Sequence, residues 1–358
     1  MVKAQSTGLE HDIRKLYDRE LKREAVHDAY LRVYSPSKDL DIAWAEGETA
    51  SLDRPFHSAS IGKTFTAVAC LQLVEEGKLS VHLKLSDVLD SMVYKGLHRM
   101  EDGIDRTGSI SIMQLLNHSS GLPDYFEDKP EDGPDLLSIS LEKPDTLWTP
   151  LSLLEFARKM PAHFKPGVGY KYNDTEYILL GLIIEKISGL SLADYLEQKI
   201  FAPLEMNNTY MHLRAPQKGD DLAGMYVDEV NIANYKSLSL DWAGGGLATT
   251  MEDLLKFQIA LNTNALIDAE SFEFMQSWTK ESAGFYYGLG LRKINMKKLF
   301  FAYPDLNLIG HNGSNGSFMF YCPELDVYVN GSFNQLKMQR KAVVFLTKVF
   351  TKIEKEHH

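Results

Sequence analysis

Hydrophobic positions repeat with two different periods along this chain. Over residues 10–27 they fall on one face of an amphipathic helix, whereas 29–34 and 40–45 are rich in strand formers and are separated by Ser35, Pro36, Ser37, Lys38 and Asp39. That alternation predicts a β-hairpin, since aromatic and β-branched residues suit a pleated surface while Pro, Ser and Asp bend the chain. From Ser60 to Glu76 the apolar residues Phe65, Val68, Leu71 and Val74 recur at helical spacing, and Gly77 stands where a helix commonly ends. Ser60 is therefore expected to open a helix.

Helical spacing dominates from about 70 to 240, in 112–117, 151–159, 175–187 and 192–200. After Gly244, Gly245 and Gly246 a further helix is expected over 251–261, with Thr250 and Asp253 suited to its first turn. The pattern then changes to strands at 298–303, 308–311, 317–322 and 327–333, and a helix over 336–355 closes the chain. Strands at both ends around a helical middle predict an α+β unit in which one sheet is assembled from the N- and C-terminal segments. Residues 1–69 and 242–358 would form the sheet subdomain, and 70–241 a mainly helical inserted lobe. The natural site is a cleft between them.

Charge and composition remove several function classes. The 358 residues include 38 Lys and Arg against 49 Asp and Glu, a formal net charge of −11. Such a chain would repel phosphate backbones, so a nucleic-acid partner is not expected. The longest apolar run, 177–184, is far short of the roughly 20 residues that cross a bilayer, and no membrane span is expected. The opening residues lack the apolar stretch of a secretory signal, so the chain as written is expected in the cytoplasm. Cys70 and Cys322 are too few and too far apart for a disulfide framework or a cysteine zinc site. His357 and His358 resemble the stub of a purification tag and carry no functional argument.

Candidate chemistry starts at Ser60-Ile61-Gly62-Lys63. Spacing of i, i+3 places Lys63 one turn from Ser60 on the same helical face. A serine hydroxyl needs a neighbouring proton acceptor to attack, and a lysine can serve if its surroundings lower its pKa. The helix start also offers backbone N–H groups to an oxyanion. A second element is Tyr172-Asn173-Asp174, where a tyrosine near cations could exchange protons with the nucleophile. The third is Gly310-His311-Asn312-Gly313-Ser314, with Gly313 permitting close approach of a ligand to the backbone. No H-E-x-x-H or paired His and Cys spacing suggests a metal, and no G-x-S-x-G elbow suggests an α/β-hydrolase. No metal or organic cofactor is expected.

In this order the three elements resemble the serine β-lactamase and penicillin-binding-protein superfamily, closest to the branch of class C β-lactamases, family VIII carboxylesterases, D-aminopeptidases and D-Ala-D-Ala carboxypeptidases. Further stretches fit: Phe56 to Lys63, LQLVEEGKLS at 71–80, LLNHSSGL at 115–122, Pro203 to Met206, AGGGLATTMEDLLKF at 243–257 and YGLGL at 287–291. The resemblance spans about residues 28–335. It implies a β-lactamase/transpeptidase-like fold, an antiparallel sheet flanked by helices with a helical insertion. It also implies that Ser60 is the acylated nucleophile, Lys63 its proton partner and Tyr172 the general base. His311 would stand where the family has Lys or His, and the N–H groups of Ser60 and Ser314 would form the oxyanion hole.

Two departures bear on the substrate. Asp174 replaces the usual Asn, and an ionised carboxylate can only accept hydrogen bonds and would raise the pKa of Lys63. Asn173 could supply the amide if the loop shifts by one residue, and Tyr170 competes with Tyr172, which keeps the family spacing from Pro166-Gly167. His311 in place of Lys lacks a permanent charge for a substrate carboxylate. Both point away from penicillins and toward esters or D-amino-acid amides and peptides. Weak β-lactamase or D-Ala-D-Ala carboxypeptidase activity is the alternative, and a non-catalytic ligand-binding homologue is the rival from another class. The acidic stretch with Asp124, Glu127, Asp128, Glu131, Asp132 and Asp135 is expected to be a solvated loop, with attraction of cationic amines as the other reading. His118 is expected to brace the loop around Ser120.

Overall fold

The computed structural model describes residues 2–356, with side chains from Gly8 onward. His357 and His358 lie outside the described residues. Eight strands form one antiparallel sheet: β1 (Asp28–Ser35), β2 (Leu40–Gly47), β3 (Thr279–Ser282), β4 (Phe285–Tyr287), β5 (Arg292–Asn295), β6 (Asn307–Asn312), β7 (Phe318–Cys322) and β8 (Val327–Ser332). Their order is β2-β1-β8-β7-β6-β5-β4-β3. The hairpin turns between Ser35 and Leu40, with Asp39 at a φ of 50°. β1 then pairs with β8, Tyr30 opposite Ser332, which joins the two ends of the chain in one sheet.

Both faces of this sheet are covered, so the side chains that alternate along its central strands are buried on either side. On one face Ala29, Leu31, Val33, Val327 and Val329 pack against two terminal helices, α1 (Val2–Leu21) and α5 (Gln339–Glu356). In α5 the residues Phe345, Leu346, Val349, Phe350 and Ile353 recur on one stripe, and each large apolar side chain buried this way contributes about 1.5–3 kcal/mol. On the opposite face Tyr30 and Met319 join a larger core built around α2 (Gly62–Glu75), α3 (Thr175–Ser188) and α4 (Met251–Asn262). Helix α2 is buried almost all round, as a helix without a polar face must be. It ends at Gly77, whose φ of 69° suits glycine. Thr250 caps α4 by accepting from the Asp253 N–H at 3.2 Å.

The first helix stops at Leu21 rather than 27, because the chain turns there, Val26 N–H donating to Arg23 O at 2.9 Å before β1 begins. Residues 298–303 are not a strand. Asn295 caps a single helical turn, Met296–Leu299, by accepting from Lys298 N–H at 2.9 Å, and Phe300 and Phe301 are left exposed. Strands β3 to β5 have three or four residues each, too short to show alternation, and β3 and β5 also carry Lys280, Glu281, Arg292 and Lys293. Among the described residues no helix is long and apolar enough to cross a membrane.

His57 and His212 meet edge to face, ring centroids 4.7 Å apart, with His57 Nε2–H donating to Ala233 O at 3.0 Å. Burial lowers His57 to about 4 and His212 to about 3, the latter also repelled by His57. In the unfolded chain both titrate near the ordinary value of about 6.5. The unfolded state thus binds protons first as pH falls from about 6.5 toward 4, and stability falls with it. We predict a declining melting temperature across that window and a shallower decline in His212→Gln. Parallel profiles for the two proteins would contradict this origin.

Candidate active site

Ser60 sits in a 3-10 turn, Ala59–Ile61, that leads into α2. The residue before it, Ala59, has a φ of 47°, a left-handed conformation that costs a non-glycine residue about 1 kcal/mol or more. Close packing holds it there. A Cβ on Gly245 would lie 2.7 Å from the Ala59 carbonyl carbon, one on Gly62 would lie 2.9 Å from Gly245 Cα, and Ser58 Oγ donates to Gly245 O at 3.1 Å. Gly313 completes the contact, since its Cβ would fall 2.7 Å from that of Ala59. The run of glycines at 244–246 and the glycine of the third motif are thus needed where backbones approach the serine.

Lys63 is fully buried one turn along, with Nζ 3.3 Å from Ser60 Oγ and 3.2 Å from Gly244 O, to both of which it donates. Its third partner is the Asp174 carboxylate, in a short ion pair. Burial pulls the ammonium pKa down, but Asp174 and the Tyr172 oxygen outweigh burial and hold it above the ordinary lysine value. Lys63 is therefore a cation at rest.

Tyr172 packs against that cation, its ring centroid 4.8 Å from Lys63 Nζ. Arg292 is a second cation beside the same ring, with the guanidinium carbon 5.3 Å from its centroid. The phenol is raised to about 12, chiefly by burial and then by Asp174, while Lys63 and Arg292 work to lower it. Its hydroxyl makes no well-formed hydrogen bond among the described residues, although Lys63 is near enough to act on it. Arg292 is held by Glu281 through two bonds of 2.9 and 2.8 Å and donates to Asn312 Oδ1 at 2.7 Å. Neither Arg292 nor Glu281 was singled out in the sequence. The only local signal was the position of Arg292 directly after the YGLGL stretch.

His311 is fully buried behind the cleft lining. Its Nδ1–H donates to Asn312 O at 2.9 Å, so Nε2 is free to accept from the Tyr287 hydroxyl at 3.1 Å. Burial, Arg292 and Lys63 keep its pKa well below the usual histidine range, and it is neutral. Asn173 is not in the cleft: its amide donates to Leu122 O at 2.6 Å and its oxygen accepts from Glu176 N–H at 3.2 Å. Tyr170 is likewise drawn into the aromatic group, 6.1 Å from His118 and 6.2 Å from Tyr287.

His118 braces its loop through Glu176, which accepts from His118 Nδ1 and from the Ser120 N–H at 3.2 Å. The His118 ring then supports Tyr172 from beneath, centroids 4.5 Å apart. The acidic stretch divides. Asp128 pairs with His163 and Lys171, Asp135 caps the helix Leu136–Glu142, and Asp124 is buried and accepts the Asp174 N–H at 3.1 Å. Only Glu127 reaches the cleft.

That cleft holds about 220 Å³ and is lined by Ser60, Tyr172, Asp174, Arg292, Asn312 and Ser314, among others. One space therefore brings together the first-motif serine, the second-motif tyrosine and acid, and the serine that follows Gly313. Among the described residues no group of three or more His, Cys, Asp or Glu is arranged to hold a metal ion.

Known proteins resemble this chain in sequence and in fold. Penicillin-binding protein 4* of Bacillus subtilis (strain 168) is 30% identical over 240 residues, 61% of this chain and 47% of that protein. Lovastatin esterase of Penicillium rubens is 28% identical over 207 residues, 56% of this chain and 49% of that one. The chain spans about half the length of these curated relatives. The D-amino acid amidase of Ochrobactrum anthropi SV3, solved with L-phenylalanine amide, shares the fold at a TM-score of 0.80 and 21% identity over 98% of this chain and 100% of that one. The Beta-lactamase family model matches residues 14–349, nearly the whole sequence, and the chain belongs to that family.

Proposed function

We propose that this protein is a serine hydrolase that forms an acyl-enzyme on Ser60 with esters or with D-amino-acid amides and small peptides. The observation that carries the reading is Lys63 Nζ at 3.3 Å from Ser60 Oγ, in a cleft shared with Tyr172. In this reading the reactive form has Tyr172 ionised between the Lys63 and Arg292 cations. The phenolate takes the Ser60 proton as Oγ attacks the carbonyl, and the backbone N–H groups of Ser60 and Ser314 hold the oxyanion. Collapse breaks the bond to the alcohol or amine, which leaves with that proton. Tyr172 then draws a proton from water as its oxygen attacks the acyl carbon, and on collapse returns that proton to Ser60 Oγ as the bond to the acyl group breaks. The relatives named as an esterase and as an amidase lend support to this substrate range.

Asp174 is what sets this site apart. Its carboxylate stabilises the Lys63 ammonium and opposes the Tyr172 phenolate, and it offers no donor to a substrate amide carbonyl. β-Lactams are therefore poor substrates in this account. The same ion pair favours a second reading, a ligand-binding homologue in which Lys63 is trapped and turnover is lost.

Purified protein should hydrolyse p-nitrophenyl butyrate, and Ser60→Ala should reduce the rate by roughly a thousandfold or more, as loss of a nucleophile does elsewhere. Equal rates in the two proteins, or none in either with ligand binding retained, would favour the second reading. The pH profile of kcat/KM should rise well into the alkaline range, following Tyr172. Asp174→Asn removes a charge that raises the pKa of both Lys63 and Tyr172, so its rising limb should move to lower pH. A limb that stays in place or moves upward would contradict the assigned electrostatics.

A further inference from the structure

The sheet edge opposite the β1–β2 hairpin gathers positive charge that the reaction does not use. Strands β3, β4 and β5 set Lys280, Tyr286 and Lys293 opposite one another in a single cross-strand row. Lys298, from the helical turn after β5, donates to the Tyr286 hydroxyl at 2.8 Å. The Lys293 and Lys298 ammonium groups lie 4.9 and 5.1 Å from the Tyr286 ring centroid. Three cations thus converge on one phenol, and the hydrogen bond from Lys298, with the charges of all three, lowers its pKa. Among the described residues none of the three forms an ion pair with a carboxylate. Glu281 and Asp305, on the same edge, pair with Arg292 and Lys297 instead. Lysines gathered without a counter-ion repel one another, so the cluster is suited to an external anion.

Next to these cations two aromatic rings face water. Phe301 is 82% exposed and Phe300 51%, with centroids 4.9 Å apart. Leu299 and Tyr303 pack on the core beneath and hold the base of this tip. Adjacent large aromatic side chains left uncovered mark a contact surface. Aromatic rings combined with unpaired lysines suit the bilayer interface, where rings enter the headgroup layer and ammonium groups meet lipid phosphates. We infer that this edge docks on an anionic lipid surface, with Phe300 and Phe301 entering the headgroup layer and Lys280, Lys293, Lys297 and Lys298 meeting the phosphates. The chain lies on that surface and does not span it. A second copy is disfavoured as the cover, since a two-fold contact would bring the same lysines face to face. The remainder of this chain of net charge −11 is repelled by the lipid, which turns the basic edge toward it. The inference is independent of the Ser60 reading.

The test is co-sedimentation of the full chain with phosphatidylcholine vesicles that contain phosphatidylglycerol, and with vesicles of phosphatidylcholine alone. Binding should be confined to the anionic vesicles and should fall as salt rises. A lysine near such a surface is worth about fivefold in binding, so Lys280→Gln, Lys293→Gln and Lys298→Gln combined should weaken it by about a hundredfold. Phe301→Ser leaves the charge unchanged, sits where the side chain touches mostly water, and should weaken binding by about tenfold. Phe301→Trp should show emission shifted to the blue on anionic vesicles. Absence of binding to anionic vesicles, or binding unmoved by both the lysine and the Phe301→Ser variants, would overturn the inference. So would displacement by inorganic phosphate at constant ionic strength, which would make the lysines a free-anion site. A dimer abolished by Phe301→Ser, in place of vesicle binding, would show that a second copy covers this edge and would overturn it as well.

Discussion

One buried charge organises this molecule. An ammonium without a partner in the interior costs several kcal/mol, and Lys63, fully buried near the start of α2, must find an anion and acceptors there. It finds Asp174, just before α3, and the carbonyl of Gly244. Three segments far apart in sequence are therefore drawn to one point: the nucleophile turn, the second motif and the glycine run. The glycines follow from that convergence, since a Cβ at Gly244 would sit 3.0 Å from Asp174 Oδ1 and one at Gly245 would strike Ala59. Asp174 is also favoured at its position, because a carboxylate at a helix N-terminus meets the positive end of the helix dipole.

The same pair fixes the chemistry available to Tyr172. Two cations, Lys63 and Arg292, flank the phenol, and each is answered by a carboxylate, Asp174 and Glu281. The carboxylates keep the cations stable in the interior, but Asp174 also opposes ionisation of Tyr172. The neutral His311, bonded to Tyr287, and the His118–Glu176 pair beneath the ring add shape and no positive charge. The site is thus tuned by two ion pairs beside one phenol, and its reactivity depends on which charge prevails at that oxygen.

Much of this was legible along the chain because it is local. The i, i+3 spacing of Ser60 and Lys63, the Tyr172-Asn173-Asp174 run and the hairpin of β1 and β2 depend on neighbours a few residues apart. The antiparallel sheet built from both ends and the family resemblance agree with the structure and with the comparisons. What was not legible depends on distant partners. Arg292 gains its meaning from Glu281 and from Tyr172, 120 positions earlier, and Glu176 gains its own from His118 and Ser120. Asn173 looked like a candidate amide donor, yet its amide is bonded to Leu122 O, a contact that only the folded loop defines. The three short strands β3 to β5 were hidden for a different reason, since runs of three or four residues carry no readable alternation.

The central claim is that Lys63 is held as a cation by Asp174. It is tested most directly by following the lysine Cε resonances of the 13C-labelled protein through an alkaline titration, with the Lys63 signal assigned by Lys63→Arg. The account predicts an ammonium that persists through neutral pH and loses its proton only after the surface lysines have titrated. A Lys63 signal that titrates near neutrality would contradict it, and would make the lysine itself the base.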